Sequence, residues 1–239
     1  MAQMLTNLYS PNFDPLKRSK KSIKFLIIHY TGMKSEKKAI KKLTDSNSKV
    51  SCHYFIKNNG SILQLVNDKY ISWHAGKSNW KNFKSLNKNS IGIEINNPGH
   101  EFNYKEFRPL QIKSLIKLLI KLKKKYKIKT QNILGHSDIA IDRKKDPGEK
   151  FPWKILAKKK LTIWPNKDFS KFRLKKIQPG IKTFFFNNLY KIGYRTNNKK
   201  NNLINNKYAT LAFQRRFRNQ LVNGKIDFEC FLISKNLTK

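Results

Sequence analysis

Residues 24 to 30, Lys-Phe-Leu-Ile-Ile-His-Tyr, form an unbroken apolar run of strand length that ends in a histidine and is stopped by Gly32. Such a run has to be buried, so the chain must build a sheet around a covered strand. Ser90 to Asn96 reads as a second strand, closed by Asn97-Pro98-Gly99, and Ile128 to Leu134 as a third. Ser51 to Lys57 and Ser61 to Val66 flank Asn58-Asn59-Gly60 and read as a hairpin. The cover comes from helices. A short one is expected from about Ser35 to Leu43, and a long one from Pro109 to Tyr126, where Leu110, Leu115, Leu118, Leu119 and Leu122 carry the apolar face. The fold class expected is therefore α/β, a mixed central β-sheet flanked by helices.

At 239 residues the chain has room for a second, smaller unit. The pattern weakens from about Pro165 to Gly180. Beyond it, an apolar stretch from Phe184 to Ile192 stops at Gly193-Tyr194, a polar Asn/Lys segment follows, and Tyr208 to Phe217 again shows helical periodicity. The division expected is a first domain over 1–165, a linker over 166–180 and a small all-α module over 181–239.

Composition narrows the function. Lys and Arg total 52 against 14 Asp and Glu, a net charge of +38. Clustered basic residues bind phosphates, which raises nucleic acid as a partner. Only eight of the 52 are Arg, however, and the lysines are scattered rather than grouped. Forked recognition of phosphates and base edges favours Arg, so the charge reads as solvated surface and no specific nucleic acid is expected. Two distant cysteines, Cys52 and Cys230, make neither a disulfide framework nor a zinc ribbon. No run approaches the 18 or more apolar residues of a membrane span, and Met1 to Lys24 lacks the continuous apolar segment of a secretory signal. A cytoplasmic location is the expectation, with a periplasmic one if the start is mis-set. Nothing in the sequence specifies an oligomeric state.

The chemistry gathers at strand ends. His29 closes the first strand and His136 follows the third, while Asp138, Asp142 and Asp146 offer carboxylates just beyond it. Two imidazoles and one carboxylate leave a fourth tetrahedral position open, as catalytic zinc requires. The spacing is too long for one helix to carry the set, so the fold would have to assemble it.

A resemblance gives these residues roles. Phe25-Leu-Ile-Ile-His-Tyr-Thr-Gly-Met33, Ser51-Cys-His-Tyr-Phe55, Trp73-His-Ala-Gly76, Ser90-Ile-Gly-Ile-Glu-Ile95, Gly135-His-Ser-Asp-Ile139, Arg143-Lys144, Asp146-Pro-Gly148 and Phe151-Pro-Trp153 occur in that order. Together they resemble the zinc-dependent N-acetylmuramoyl-L-alanine amidases of amidase type 2, relatives of the peptidoglycan recognition proteins. The resemblance covers about residues 5 to 160. It implies zinc held by His29, His136 and Asp146, Glu94 as general base and Lys144 as the group that steadies the oxyanion. Trp73 and His74 are expected to line the substrate groove, and His53 to be a structural residue facing the sheet. Members often carry Pro where this chain has Ile141, which predicts a looser loop before Asp146.

Ala212-Phe-Gln-Arg-Arg-Phe217 with Val222-Asn-Gly224 is similar to the end of small helical peptidoglycan-binding modules, although Asn223 stands where those carry Asp. The resemblance implies hydrolysis of the amide joining N-acetylmuramic acid, or its anhydro form, to L-alanine in peptidoglycan or muropeptides. The alternative is a non-catalytic peptidoglycan-binding protein of the same fold.

Overall fold

The computed structural model describes residues 4–5, 8–195 and 203–239. Parts of the N-terminal stretch and of the polar segment expected between the last helices lie outside them. In chain order the elements are β1 (Met4–Leu5), β2 (Phe13–Asp14), β3 (Phe25–Tyr30), α1 (Glu36–Thr44), β4 (Tyr54–Ile56), β5 (Ile62–Gln64), β6 (Ile71–Ser72), β7 (Asn79–Trp80), β8 (Phe83–Lys84) and β9 (Ser90–Ile95). Then follow α2 (Pro109–Tyr126), β10 (Ile133–Gly135), α3 (His136–Ile139), α4 (Trp153–Lys158), α5 (Ile181–Ile192), α6 (Leu203–Phe217) and α7 (Phe228–Leu237).

The main sheet runs in the order β1-β5-β4-β9-β3-β10. The β4–β5 hairpin is antiparallel, while β4, β9, β3 and β10 lie parallel to their neighbours, so the sheet is mixed as expected. Parallel central strands are covered on both faces, which is why β3 reads as a continuous apolar run rather than an alternating one. Its residues divide between two apolar clusters. Leu26 and Ile28 join Ile91, Ile93 and Ile95 of β9 and Leu115, Leu119 and Leu122 of α2. Phe25 and Ile27 face the other way, toward Phe185, Leu189 and Phe213 of α5 and α6. On that second face α1 covers the hairpin through Ala39 and Leu43, against Phe55 and Leu63.

Two elements differ from the sequence expectation. Leu110 is exposed, because the buried stripe of α2 runs through Ile112, Leu115, Leu119, Leu122 and Tyr126, and Leu110 is out of phase with it. The third strand is only Ile133–Gly135. The polar Thr130–Asn132 makes a tight helical turn instead, and Asn132 reaches back to the Lys24 carbonyl at 3.0 Å.

Segment 166–180 holds one short turn at Ser170–Phe172, and Arg173 forms an ion pair with Glu229 of α7 at 2.6 Å. Helix α5 stops at Gly193, where φ is 137° and a Cβ would stand 2.5 Å from the Trp80 ring. The three helices α5, α6 and α7 thus share one apolar cluster with the Phe25–Ile27 face of the sheet.

Candidate metal centre

Functional groups in α/β sheets gather beyond the carboxyl ends of the strands, and this sheet does the same with three of them. His29 lies near the end of β3 on the Phe25–Ile27 face, and the register sets it beside Glu94 of β9. Strand β10 ends at Gly135, so His136 opens the α3 turn from the next position. Asp146 arrives on the following loop, whose return is pinned by the Ser137 N–H donating to the Asp146 carbonyl at 2.8 Å. Ile141 lies on that loop, which is tied by backbone hydrogen bonds. The Arg143 and Lys144 N–H groups both donate to the Ala140 carbonyl, and Ile141 packs on the apolar cluster.

His29 Nδ1 and His136 Nδ1 stand 2.9 Å apart, and each lies 3.0 Å from Asp146 Oδ2. All three side chains are buried, and among the described residues they are the one group of three that could hold a metal ion. The other two carboxylates are elsewhere. Asp138 is locked to Arg216 Nη1 at 2.5 Å, to the Tyr194 hydroxyl at 2.6 Å and to the Gly135 N–H at 2.8 Å. Asp142 is exposed.

Burial pushes His29 down to about 4, helped by the nearby His136 and partly offset by Asp146. Burial alone would raise Asp146, but the two imidazoles outweigh it and hold the carboxyl well below the usual range. His136 Nε2 meets the Ala75 carbonyl at 3.2 Å. At its other nitrogen, Nδ1, the Asp146 carboxylate oxygen stands at 3.0 Å, so both ring nitrogens of His136 face acceptors. Two imidazoles and one carboxylate with converging donor atoms are the set that a catalytic zinc takes, so the residues fit the ion.

Glu94 borders the same pocket, a cavity of about 360 Å³ also lined by Trp73, His74, Arg143, Lys144 and Lys145. Its Oε2 is buried without a hydrogen-bond partner. Burial, reinforced by Asp146, raises Glu94 to about 8, and the Lys144 ammonium works against the rise. Trp73 is 37% exposed at the rim. His74 sits deeper, with Nδ1 at 3.0 Å from His29 Nε2 and Nε2 at 3.1 Å from Ser90 Oγ. His53 lies on the sheet, where its Nδ1 receives the Gly92 N–H at 3.0 Å. Sequence reasoning passed over Ser90, Gly92, the Ala75 carbonyl and Arg143, whose guanidinium donates to that same carbonyl at 2.5 Å. The only signal for them was their place inside the motifs.

Residues 19–149 match the N-acetylmuramoyl-L-alanine amidase family. The chain is 35% identical over 235 residues to the N-acetylmuramoyl-L-alanine amidase AmiD of Escherichia coli, covering 90% of this chain and 82% of that one. It is 33% identical to the 1,6-anhydro-N-acetylmuramyl-L-alanine amidase AmpD of Haemophilus influenzae, over 61% of this chain and 86% of the other. The solved complex of E. coli AmiD with the substrate anhydro-N-acetylmuramic acid-L-Ala-D-gamma-Glu-L-Lys superposes with a TM-score of 0.79 at 32% identity, covering 98% of this chain and 91% of that chain. AmpDh3 of Pseudomonas aeruginosa, in complex with anhydromuramic pentapeptide, gives 0.80 at 28% identity, over 99% and 98%.

Proposed function

This chain belongs to the N-acetylmuramoyl-L-alanine amidase family, and on that premise we propose that it is a zinc-dependent hydrolase cutting the amide between N-acetylmuramic acid, or its anhydro form, and the L-alanine of the stem peptide. The observation that carries this reading is the convergence of His29 Nδ1, His136 Nδ1 and Asp146 Oδ2 in one buried group beside Glu94. Those three residues hold the ion. When bound, zinc supplies Lewis-acid polarisation and brings the pKa of a water to about 7.

The chain's own groups do the rest. Glu94, raised and with a free buried oxygen, accepts the proton of the attacking water and delivers it to the departing L-alanine nitrogen. Lys144 offsets the negative charge that develops on the amide oxygen. Lys42, Arg143 and Lys145 ring the pocket with positive charge, which suits the carboxylates of a stem peptide. Trp73 offers a flat apolar edge at the rim. The likeness of the 212–224 stretch to peptidoglycan-binding modules supports a further role for the helical unit in holding insoluble wall. No observation favours the non-catalytic alternative, because the three converging donors and a carboxylate with an unpartnered Oε2 border one pocket.

Digestion of anhydro-muropeptide and of insoluble peptidoglycan by the zinc-loaded protein tests the reading, with products identified by mass spectrometry and pelleting with the wall scored in high salt. The expected products are a stem peptide with a free L-alanine amine and the corresponding muramic acid. Intact substrates after prolonged incubation would overturn the activity.

A further inference from the structure

Trp73-His74-Ala75-Gly76 supplies none of the three donors, yet it touches both histidines that do. His29 Nε2 faces His74 Nδ1 at 3.0 Å, and His136 Nε2 faces the Ala75 carbonyl at 3.2 Å. The segment is itself held firmly. Asn87 Oδ1 receives the N–H groups of His74 and Ala75 at 3.2 and 2.7 Å, and Arg143 donates to the Ala75 carbonyl.

The direction of the hydrogen bonds along this chain of contacts is fixed from its far end. Ser90 Oγ lies 2.6 Å from the Leu86 carbonyl, which has no proton to give, so the hydroxyl donates its only hydrogen there. The Ser90 oxygen therefore receives the Nε2–H of His74 at 3.1 Å. A neutral imidazole has one N–H, so His74 Nδ1 is an acceptor and takes the Nε2–H of His29. His29 Nδ1 then has no hydrogen for Asp146 Oδ2, 3.0 Å away, and turns its lone pair toward the centre of the donor group. Gly92 makes room for this arrangement: a Cβ there would stand 2.3 Å from His74 Cγ, so only glycine lets the ring lie against β9.

We propose that His74 is a positioning residue, aimed by Ser90 and the Leu86 carbonyl, whose imidazole locks His29 in the Nε2–H tautomer and presents its Nδ1 to the metal. The proposal rests on the zinc reading above. Outer partners of this kind orient ligating histidines, and losing one costs about 10–100-fold in metal affinity.

The test compares zinc affinity of the full chain, measured by competition with a chromophoric chelator, for wild type, His74→Phe, His74→Asn and Ser90→Ala. His74→Phe keeps the bulk and removes the acceptor, so zinc binding weakens by about 10–100-fold. His74→Asn restores an acceptor near the Nδ1 position and binds close to wild type. Ser90→Ala removes one oxygen and weakens binding in the same direction, which keeps the test available if the Phe variant does not fold. Long-range 1H–15N correlation on the histidine-labelled, metal-free chain reads the tautomers without zinc, and both His29 and His74 appear as Nε2–H. Wild-type affinity in His74→Phe or Ser90→Ala, equal weakening in the Asn and Phe variants, or His29 protonated on Nδ1 would each overturn the proposal. A wild-type chain that binds no zinc while showing the Nε2–H tautomers would instead count against the zinc reading.

Discussion

Single side chains do unequal work around the centre. His53 shows how burial sets an acid response. Its ring is buried on the sheet, with Nδ1 receiving the Gly92 N–H and Nε2 at 3.1 Å from the Tyr70 carbonyl, and burial plus the Arg18 guanidinium push it from 6.5 down to about 3. Between those values the unfolded chain binds a proton that the folded one refuses, so stability falls as pH drops through this window and is unaffected above it. The slope is about 1.4 kcal/mol per pH unit. His53→Asn, which keeps an acceptor for Gly92, has no such slope. Urea unfolding at pH 6.5 and 5 will show wild type losing about 1–2 kcal/mol more than the variant over that interval. Equal losses would mean that His53 is not the group responsible. The histidine at the end of the first apolar strand was legible as a strand-end group, and His53 as a sheet-facing one, but the contact of His74 with His29 was not. That depends on which atoms of distant residues meet their ring nitrogens.

Between elements, the decisive contact joins α6 to the turn that carries His136. Arg216 is 2% exposed, and its guanidinium reaches Asp138 Oδ2, the Ile133 carbonyl at 3.0 Å and Thr162 Oγ1 at 2.7 Å, lying 4.4 Å over the Trp153 ring. The helical unit thereby braces the start of β10 and the α3 turn after it, at a residue two positions from His136. Removing one partner of a buried ion pair strands the other charge. Arg216→Leu is expected to lower unfolding free energy by about 3–5 kcal/mol, with part of the loss recovered by adding Asp138→Asn. Urea unfolding of the single and double variants checks this, and a loss under about 1 kcal/mol would deny the brace its importance. Nothing in the sequence marks Arg216 for this role, since its partner lies 78 positions away. Local pattern was informative where local rules decide, as in the Pro109 start of α2 and the Asn58-Asn59-Gly60 hairpin. It misread Leu110 because one leucine out of phase still looks apolar.

For the molecule as a whole, the sheet class was legible because covered parallel strands announce themselves as continuous apolar runs. The donor group was legible only through the resemblance, since spacings of more than a hundred residues carry no geometry. The strong positive charge has a plain structural counterpart. The few acids are largely drawn into ion pairs or the pocket, such as Asp68 with Lys125, Glu36 with Lys57, Asp146 and Glu94, which leaves most lysines to the surface. Everything functional in this account depends on a metal held by His29, His136 and Asp146. Native mass spectrometry after equilibration with zinc and buffer exchange tests that most directly. One zinc per wild-type chain is expected, and none on His136→Ala. A wild-type chain that comes through without zinc, or a His136→Ala chain that retains a full equivalent, would contradict it.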